Sequence, residues 1–228
     1  LAAGKGDDAR PVFERIRKEF PAKVGTKDPR QHAQAAALFG LGQIDFQANR
    51  KAEAEKYFAE LTRDYPWSNK VQEAKYLRAQ ALAEAGKYDG TKKDPAAFEL
   101  WVGIIESSNA SNEMKAKSML AFGQTLETLA TKKLTSPQLE QGVGKPPLDP
   151  LDLAVSYYQK IDLYYDNLPE LSGQGLLRAA KIRRAQQKND DARKLLTTLV
   201  SKYPNSSVTT EATELLQSLP AASAAPAP

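Results

Sequence analysis

A spacing of four, three and four residues recurs along the chain and constrains its fold more than any other feature. Counted forward from Ala54, it places Phe58, Leu61 and Tyr65 on one stripe of a helix, since an α-helix turns about every 3.6 residues. Pro66 follows at once, and proline lacks the backbone donor that another helical turn needs. The spacing therefore predicts a helix that is apolar on one face and ends near residue 65.

Five copies of this pattern are present. The copies that start at Ala9 and Ala192 are as complete as the one at Ala54, the copy at Ala154 has its proline delayed to Pro169, and the copy at Ala97 stops after two apolar steps. The chain is therefore predicted to contain a repeated amphipathic helix. Its apolar residues are, copy by copy, Phe13, Ile16 and Phe20; Phe58, Leu61 and Tyr65; Trp101 and Ile104; Tyr158, Ile161 and Tyr165; and Leu196, Leu199 and Tyr203.

A small residue precedes the first alanine of four copies, twelve positions earlier or in the corresponding place once insertions are allowed for. Two antiparallel helices approach to about 8 Å only where the facing residues lack bulk. We therefore predict helix pairs in which the small residue of the first helix faces the alanine of the second. The predicted pairs are Gly42 with Ala54, Ala79 with Ala97, Gly123 with Ala154 and Ala180 with Ala192.

Composition supports a folded, all-α chain. Apolar residues make up 41% and charged residues 26%, and the abundant Ala, Leu, Gln, Glu, Lys and Arg favour helix. The absence of cysteine excludes disulfides, thiolate nucleophiles and Cys-ligated metals. The net charge of +4 is spread along the chain and does not by itself indicate nucleic acid.

The two ends of the sequence differ in character. The chain begins at Leu1 rather than methionine, so we expect it to come from a longer or processed protein. No run approaches the roughly 18 to 20 apolar residues that cross a bilayer, so no direct membrane span is expected. Residues 220–228 are mostly Ala and Pro and are predicted to form a disordered tail.

Signals for catalysis are weak. His32 is the only histidine, and we interpret it as a polar residue in the first turn of a helix, because no nucleophile motif or second metal ligand accompanies it. We predict no catalytic residue, no metal and no cofactor. The densest charge feature is a basic run, interpreted as a solvated helix face, with nucleic-acid binding as the alternative. It comprises Arg178, Lys181, Arg183, Arg184 and Lys188.

Two turns between helices also carry candidate residues. Trp67 follows Pro66 and is predicted either to be exposed for contact or to be folded under a neighbouring insertion. Ser68 and Ser206 are predicted to cap the helices that follow them, because a serine oxygen can accept from the free N–H groups of a helix start.

The pattern of the copies resembles the tetratricopeptide repeat. The resemblance rests on the small residue, the "AGKY" run at residues 85–88, the first alanine of each copy (the anchor alanine), the aromatic residue four later and the proline twelve later. This resemblance implies a right-handed α-solenoid of about four to five helix pairs over residues 1–219. The second helices would be anchored near residues 9, 54, 97, 154 and 192. These anchors are 38 to 57 residues apart rather than the family's usual period of about 34, which indicates insertions at residues 22–30, 89–95 and 136–150.

The repeats depart from the family's usual pattern in one respect. The family usually has alanine seven residues after the anchor, whereas this chain has isoleucine or leucine there. That variant, with Tyr-Pro-x-Ser and a later Glu-Ala, is similar to repeats of bacterial cell-envelope proteins, such as the lipoprotein of the outer-membrane barrel assembly machinery and the periplasmic partner of the Tol-Pal system. The resemblance implies a periplasmic or envelope location, with the cytoplasm as the alternative.

In this family the first helix of each pair lines the concave surface, so the resemblance implies a partner-binding groove on those helices. Glutamine amides there would satisfy peptide N–H and C=O groups, although glutamine is also simply a good helix former. Lys181 and Arg184 would favour acidic segments at one end. The predicted groove residues are Phe39, Gln43, Tyr76, Gln80, Leu120, Gln124, Leu177, Lys181 and Arg184.

These features together predict a scaffold or adaptor that binds another protein or a peptide segment. Two alternatives remain open at this point. The chain could be the helical superstructure of a larger envelope enzyme, as in lytic transglycosylases, or an RNA-binding helical repeat.

Overall fold

A computed structural model of the chain describes residues 6–21, 28–141 and 145–220. These residues are all-helical and contain no β-strand. A short 3₁₀ helix lies at Pro137–Leu139. The α-helices are α1 Gly6–Glu19, α2 Arg30–Gln47, α3 Lys51–Asp64, α4 Val71–Glu84, α5 Ala97–Ile105, α6 Asn112–Lys132, α7 Pro150–Tyr164, α8 Pro169–Ala185, α9 Asn189–Lys202 and α10 Thr209–Ser218.

The chain divides into two compact units, Leu1–Ala110 and Ser111–Pro228, here called unit 1 and unit 2. In unit 1, each of α1 to α4 packs on the next helix in sequence, and α2 also touches α4. In unit 2, each of α6 to α9 packs on the next helix, and α6 also touches α8. Within each unit the helices therefore follow the pairwise order of an α-solenoid, with α2, α4, α6 and α8 as first helices and α3, α5, α7 and α9 as second helices.

The predicted apolar stripe forms the core of both units. The anchor alanines at 54, 97, 154 and 192 are fully buried, as are Phe58, Trp101, Tyr158 and Leu196 four residues later. The copy that begins at Ala9 is only partly buried, and its Phe20 is 49% exposed. The periodicity thus predicted the buried face correctly in four copies and overstated it in α1.

In two copies the helix ends just before the predicted proline. Tyr65 and Tyr203 come directly after α3 and α9, their N–H groups close the last turns on Leu61 and Leu199 (2.9 and 2.8 Å), and proline follows each. Pro169 differs, because it occupies the first turn of α8, where its missing donor costs no hydrogen bond.

The small residues all lie in the core, and an aromatic ring lies closest to each of the two glycines. A Cβ placed on Gly42 would lie 2.5 Å from the ring of Phe58, and one placed on Gly123 would lie 2.4 Å from the ring of Tyr158. The closest side chain to each glycine is therefore the aromatic residue four positions after the anchor alanine. The helices pair as predicted.

The prediction that Ser68 and Ser206 cap the following helices is wrong. Ser68 Oγ accepts from the N–H of Lys70 (3.2 Å), one residue before α4 begins. Ser206 Oγ donates instead to the carboxylate of Glu170 (3.1 Å). In the second case a tertiary partner, which local sequence does not reveal, takes the hydroxyl.

The inserted segments are partly packed. In the insertion at 136–150, Leu139 is buried, and its carbonyl accepts from the N–H of Leu148 (2.7 Å). Residues 142–144 of that insertion, residues 22–27 of the first one, and the predicted tail beyond Pro220 lie outside the described residues.

We predict that Gly42→Ala destabilises the protein whereas Gly103→Ala does not. The new methyl group at Gly42 would overlap the ring of Phe58, which is fully buried, and overpacking of this kind costs about 1–3 kcal/mol. Gly103 lies in the same unit on α5 with no atom within 4 Å of an added Cβ, so alanine there should raise the free energy of unfolding by about 0.4–1 kcal/mol. Denaturant unfolding of both variants measures the difference. Equal stability of the two would contradict the packing described.

Candidate functional site

Unit 1 has a cleft of about 560 Å³ on its first-helix side, and it contains two of the predicted groove residues, Phe39 and Gln43. We call it the aromatic cleft. Its walls come from α1, α2 and the turn before α4, so three separate segments of unit 1 form it. The lining residues are Phe13, His32, Ala36, Phe39, Gly40, Gln43, Trp67, Ser68, Asn69 and Lys70.

Trp67 supplies the largest exposed aromatic surface of this cleft. It is 47% exposed, its ring meets the His32 ring edge-on at 4.6 Å, and it lies 6.0 Å from the ring of Tyr65. Of the two alternatives for this residue, exposure is correct. His32 lies in the first turn of α2, as expected, where it supports the indole rather than any catalytic group.

Phe39 connects the aromatic cleft to the core. Its side chain is 5% exposed and packs 6.1 Å from the ring of Phe58, while the ammonium of Lys70 lies 5.0 Å from its outer face. A cation over an aromatic ring is attracted by the charge distribution of that ring. Phe39 is thus a fixed core residue with one edge available, and Trp67 and Gln43 supply most of the surface that a partner could touch.

The other two groove residues predicted in unit 1 do not line this cleft. Tyr76 is mostly buried, and burial raises its pKa. Gln80 donates to the hydroxyl of Tyr76 (3.3 Å), so part of its amide is used within α4.

In unit 2 the predicted groove residues Leu120, Gln124 and Leu177 are buried or bonded within the unit. Leu120 and Leu177 are buried, at 8% and 4% exposure. Gln124, with its amide oxygen turned toward Arg178, accepts from two guanidinium nitrogens at 3.2 Å each. These residues hold α6 against α8 and leave little surface for a partner.

Glu127 is the centre of this arrangement. It accepts hydrogen bonds from the hydroxyl of Tyr158 on α7 and from Arg178 on α8 (3.0 Å). Burial, and then the neighbouring carboxylate, raise the pKa of Tyr158, so the phenol remains protonated and donates. Because the cluster joins three helices, we interpret it as structural.

The last two predicted groove residues, Lys181 and Arg184, lie together in a cleft of about 780 Å³ between α8 and α10. The ammonium of Lys181 is paired with Glu211 of α10 (2.6 Å), and Glu214 also lines the cleft. The positive charge expected to attract an acidic partner is thus largely balanced by α10.

The rest of the basic run is paired in the same way. Arg183 binds Asp152, which lowers the pKa of that carboxyl, and Lys188 lies 3.6 Å from the same group. Arg178 is bound to Glu127. Four of the five basic side chains therefore have a carboxylate partner, which favours the solvated-face interpretation over phosphate binding.

Among the described residues, no group of three or more His, Asp or Glu side chains is placed to hold a metal ion. Within the same ranges, no helix is long and apolar enough to cross a membrane.

Comparison with known families agrees with the geometry. Models of the tetratricopeptide repeat match residues 1–69 and 174–206. One matched segment lies in each unit, so both units contain a segment similar to tetratricopeptide repeats, and such repeats generally mediate interactions between proteins. The chain has no significant match among curated proteins.

Several lining residues were not predicted from the sequence to be binding residues. Phe13, Asn69 and Lys70 join the aromatic cleft because α1 and the turn before α4 meet α2 there. The Tyr-Pro-Trp-Ser turn was the available signal for Lys70 and Asn69, since both follow it directly.

Glu170 of α8 accepts hydrogen bonds from the turn that precedes α10, and we predict a pH-dependent effect of Glu170→Gln. Hydrogen bonds, first from the hydroxyl and N–H of Ser207 and then from Gln174, lower the pKa of Glu170 to about 2. A carboxyl whose pKa falls on folding stabilises the protein above its ordinary pKa, and this contribution disappears as the pH drops. The variant should melt below the wild type at pH 7, and the gap should close between about pH 5 and pH 2.

Thermal unfolding across this pH range measures the effect. Glu214→Gln removes the same charge from α10 itself and serves as the control, because no hydrogen bond to a described residue holds its carboxylate. If both variants showed the same pH profile, Glu170 would not be the group that fixes this end of unit 2.

Proposed function

We propose that the chain is a scaffold or adaptor that binds a segment of another protein on its first-helix surface, with binding rather than catalysis as its role. The aromatic cleft of unit 1 is the observation that carries this proposal. It combines an exposed indole, a fixed phenyl edge and polar groups within one concave site of about 560 Å³. Binding sites on proteins typically combine an aromatic anchor with a few polar groups that fix orientation.

The chemistry of the aromatic cleft suits a peptide with one large apolar residue. Trp67 and the edge of Phe39 would bury that side chain, and the amides of Gln43 and Asn69 can both donate to and accept from a peptide backbone. Because the walls are held by packed helices, little ordering of this surface is needed on binding.

Unit 2 contributes differently. Its Gln124 and Arg178 are bonded to each other, and α10 pairs with Lys181, so its first-helix surface is mostly satisfied internally. We therefore place the principal contact in unit 1 rather than along all nine residues predicted from the sequence.

Trp67→Ala is expected to abolish or strongly weaken partner binding, whereas Phe20→Ala is not. Both side chains are large, apolar and about half exposed in unit 1, at 47% and 49%, but only Trp67 lines the aromatic cleft. Loss of a central aromatic anchor typically costs at least about 2 kcal/mol of binding free energy. Partners are first identified by mass spectrometry of proteins that co-purify from the native organism, and a peptide mapped from such a partner is then titrated against both variants.

Tryptophan fluorescence provides a direct reading of the site. The chain has two tryptophans, and Trp101 is buried at 1% exposure, so a Trp101→Phe variant reports on Trp67 alone. Binding in the aromatic cleft should shift the emission of Trp67 to shorter wavelength. A peptide that binds without this shift, or that binds Trp67→Ala normally, would place the interaction elsewhere.

The proposal extends to a location in the bacterial cell envelope, on the basis of the Leu or Ile at the seventh step of each repeat and the Tyr-Pro-x-Ser turn. Fractionation of the native organism tests it. The protein is expected with periplasmic and membrane-associated proteins, and recovery with cytoplasmic markers would refute the envelope assignment while leaving the aromatic cleft unaffected.

A further inference from the structure

Unit 1 has a second cleft, which shares no lining residue with the aromatic cleft. It is lined by α3, α4 and α5, has a volume of about 700 Å³ and includes part of the insertion at 89–95. We call it the cationic cleft. Its lining residues are Glu55, Lys56, Ala59, Glu60, Thr62, Arg63, Lys75, Arg78, Lys92, Lys93, Asp94, Pro95 and Leu100.

Positive charge dominates this lining, with six basic against three acidic residues. Part of it is neutralised, since Arg78 pairs with Glu55 at 2.7 Å and Glu60 pairs with Arg17 of α1 at 2.6 Å. Lys56 and Arg63 are paired with Glu53 and Asp64. Three ammonium groups face the cleft with no carboxylate within salt-bridge distance among the described residues; they belong to Lys75, Lys92 and Lys93.

The loop that carries two of these lysines is held in a defined turn. Thr91 and Asp94 close it, because the Thr91 N–H donates to the Asp94 carbonyl (2.9 Å) and the Asp94 N–H donates to the Thr91 hydroxyl (3.0 Å). Lys92 and Lys93 are the two residues between them. A Cβ on Gly90 would lie 2.4 Å from the backbone nitrogen of Ala96, so only glycine permits the chain to fold back this tightly.

The corresponding cleft of unit 2 lacks this excess of charge. It lies between α7 and α9, and its lining has three basic and two acidic residues. Lys75 lies four residues before Ala79, and the residue four before Ala180 in unit 2 is Leu176, which is buried. The connection between α8 and α9 is only three residues, so no loop like 89–95 is present there. The charge of the cationic cleft thus comes from one substitution and one insertion specific to unit 1.

We propose that the cationic cleft binds an acidic, extended segment of a partner protein. The three unpaired lysines would pair with its Asp and Glu side chains, while Ala59, Pro95 and Leu100 give an apolar strip for the backbone and one small side chain. Nucleic acid fits less well, because the lining has no aromatic ring for base stacking and includes carboxylates that would repel phosphates. A peptide, by contrast, has N–H groups that donate to carboxylates. This site is separate from the aromatic cleft and does not depend on it.

The test uses a short dye-labelled peptide of Asp and Glu residues around one Leu, followed by fluorescence anisotropy at low and high salt. The wild type should bind it, and binding should weaken as salt screens the charges. A triple variant should bind the peptide about tenfold more weakly, which corresponds to the modest contribution expected of each exposed pair. It carries Lys75→Gln, Lys92→Gln and Lys93→Gln. The double change Lys92→Gln and Lys93→Gln, confined to the loop, should give a smaller loss in the same direction and guards against misfolding of the triple variant.

Matched controls separate local from general attraction. Lys18→Gln, Lys115→Gln and Lys145→Gln remove the same net charge outside the cleft and should leave the affinity unchanged. The same peptide with Asn and Gln in place of Asp and Glu should not bind. Trp67→Ala should bind the acidic peptide normally.

Four results would overturn the proposal. They are an absence of binding at low salt, an equal loss in the control triple variant, equal binding of the neutral peptide, and loss of binding in Trp67→Ala. A uridine-rich RNA oligonucleotide that binds more tightly than the peptide and depends on the three lysines would assign the cleft to nucleic acid instead.

Discussion

In two of the four helix pairs, close packing depends on an aromatic ring of the second helix that lies against a glycine of the first. Phe58 of α3 fills the space beside Gly42 of α2, and Tyr158 of α7 does the same beside Gly123 of α6. Because glycine has no Cβ, the ring approaches the backbone itself, and the two helices can bury the whole stripe between them. The ring of Phe58 also contacts Phe39, whose outer edge forms part of the aromatic cleft, so core packing positions the binding surface directly.

The side chains around this ring are apolar in unit 1 and hydrogen-bonding in unit 2. Four residues after the glycine, unit 1 has Phe46, which packs 6.5 Å from Phe58, whereas unit 2 has Glu127, which accepts from Tyr158. A second pair of corresponding residues lies on α4 and α8, two positions before Ala79 and Ala180. It is Leu77 in unit 1 and Arg178 in unit 2. The three positions differ together, because a partly buried carboxylate beside two apolar side chains would lack partners. An apolar cluster in unit 1 thus corresponds to a hydrogen-bonded cluster in unit 2.

The sequence predicted those features that depend on local periodicity and missed those that depend on what meets across helices. The stripe at 54, 97, 154 and 192, the helix pairs and the all-α class follow from spacing alone, since spacing sets which side chains share a helix face. The spacing did not reveal that the rings of Phe58 and Tyr158 lie closest to the glycines, because that contact joins two helices. Lys181 was expected to be available, but its partner Glu211 lies on another helix and thirty residues away, where no local rule connects them.

The repeated packing also explains why the residues that differ between the two units and line the clefts lie mostly in the connections. Each copy must keep its stripe to bury its helices, so residues that contact partners can vary only outside the stripe or in connections. The aromatic cleft arises from the Pro-Trp-Ser turn between α3 and α4, and the cationic cleft arises from the turn at 91–94 between α4 and α5. Both are in unit 1, where the connection between α4 and α5 is much longer than the three-residue turn between α8 and α9. In this protein the helices fix the geometry of the surfaces. The connections of unit 1 add exposed aromatic and basic side chains, whereas most polar groups on the first helices of unit 2 are paired within that unit.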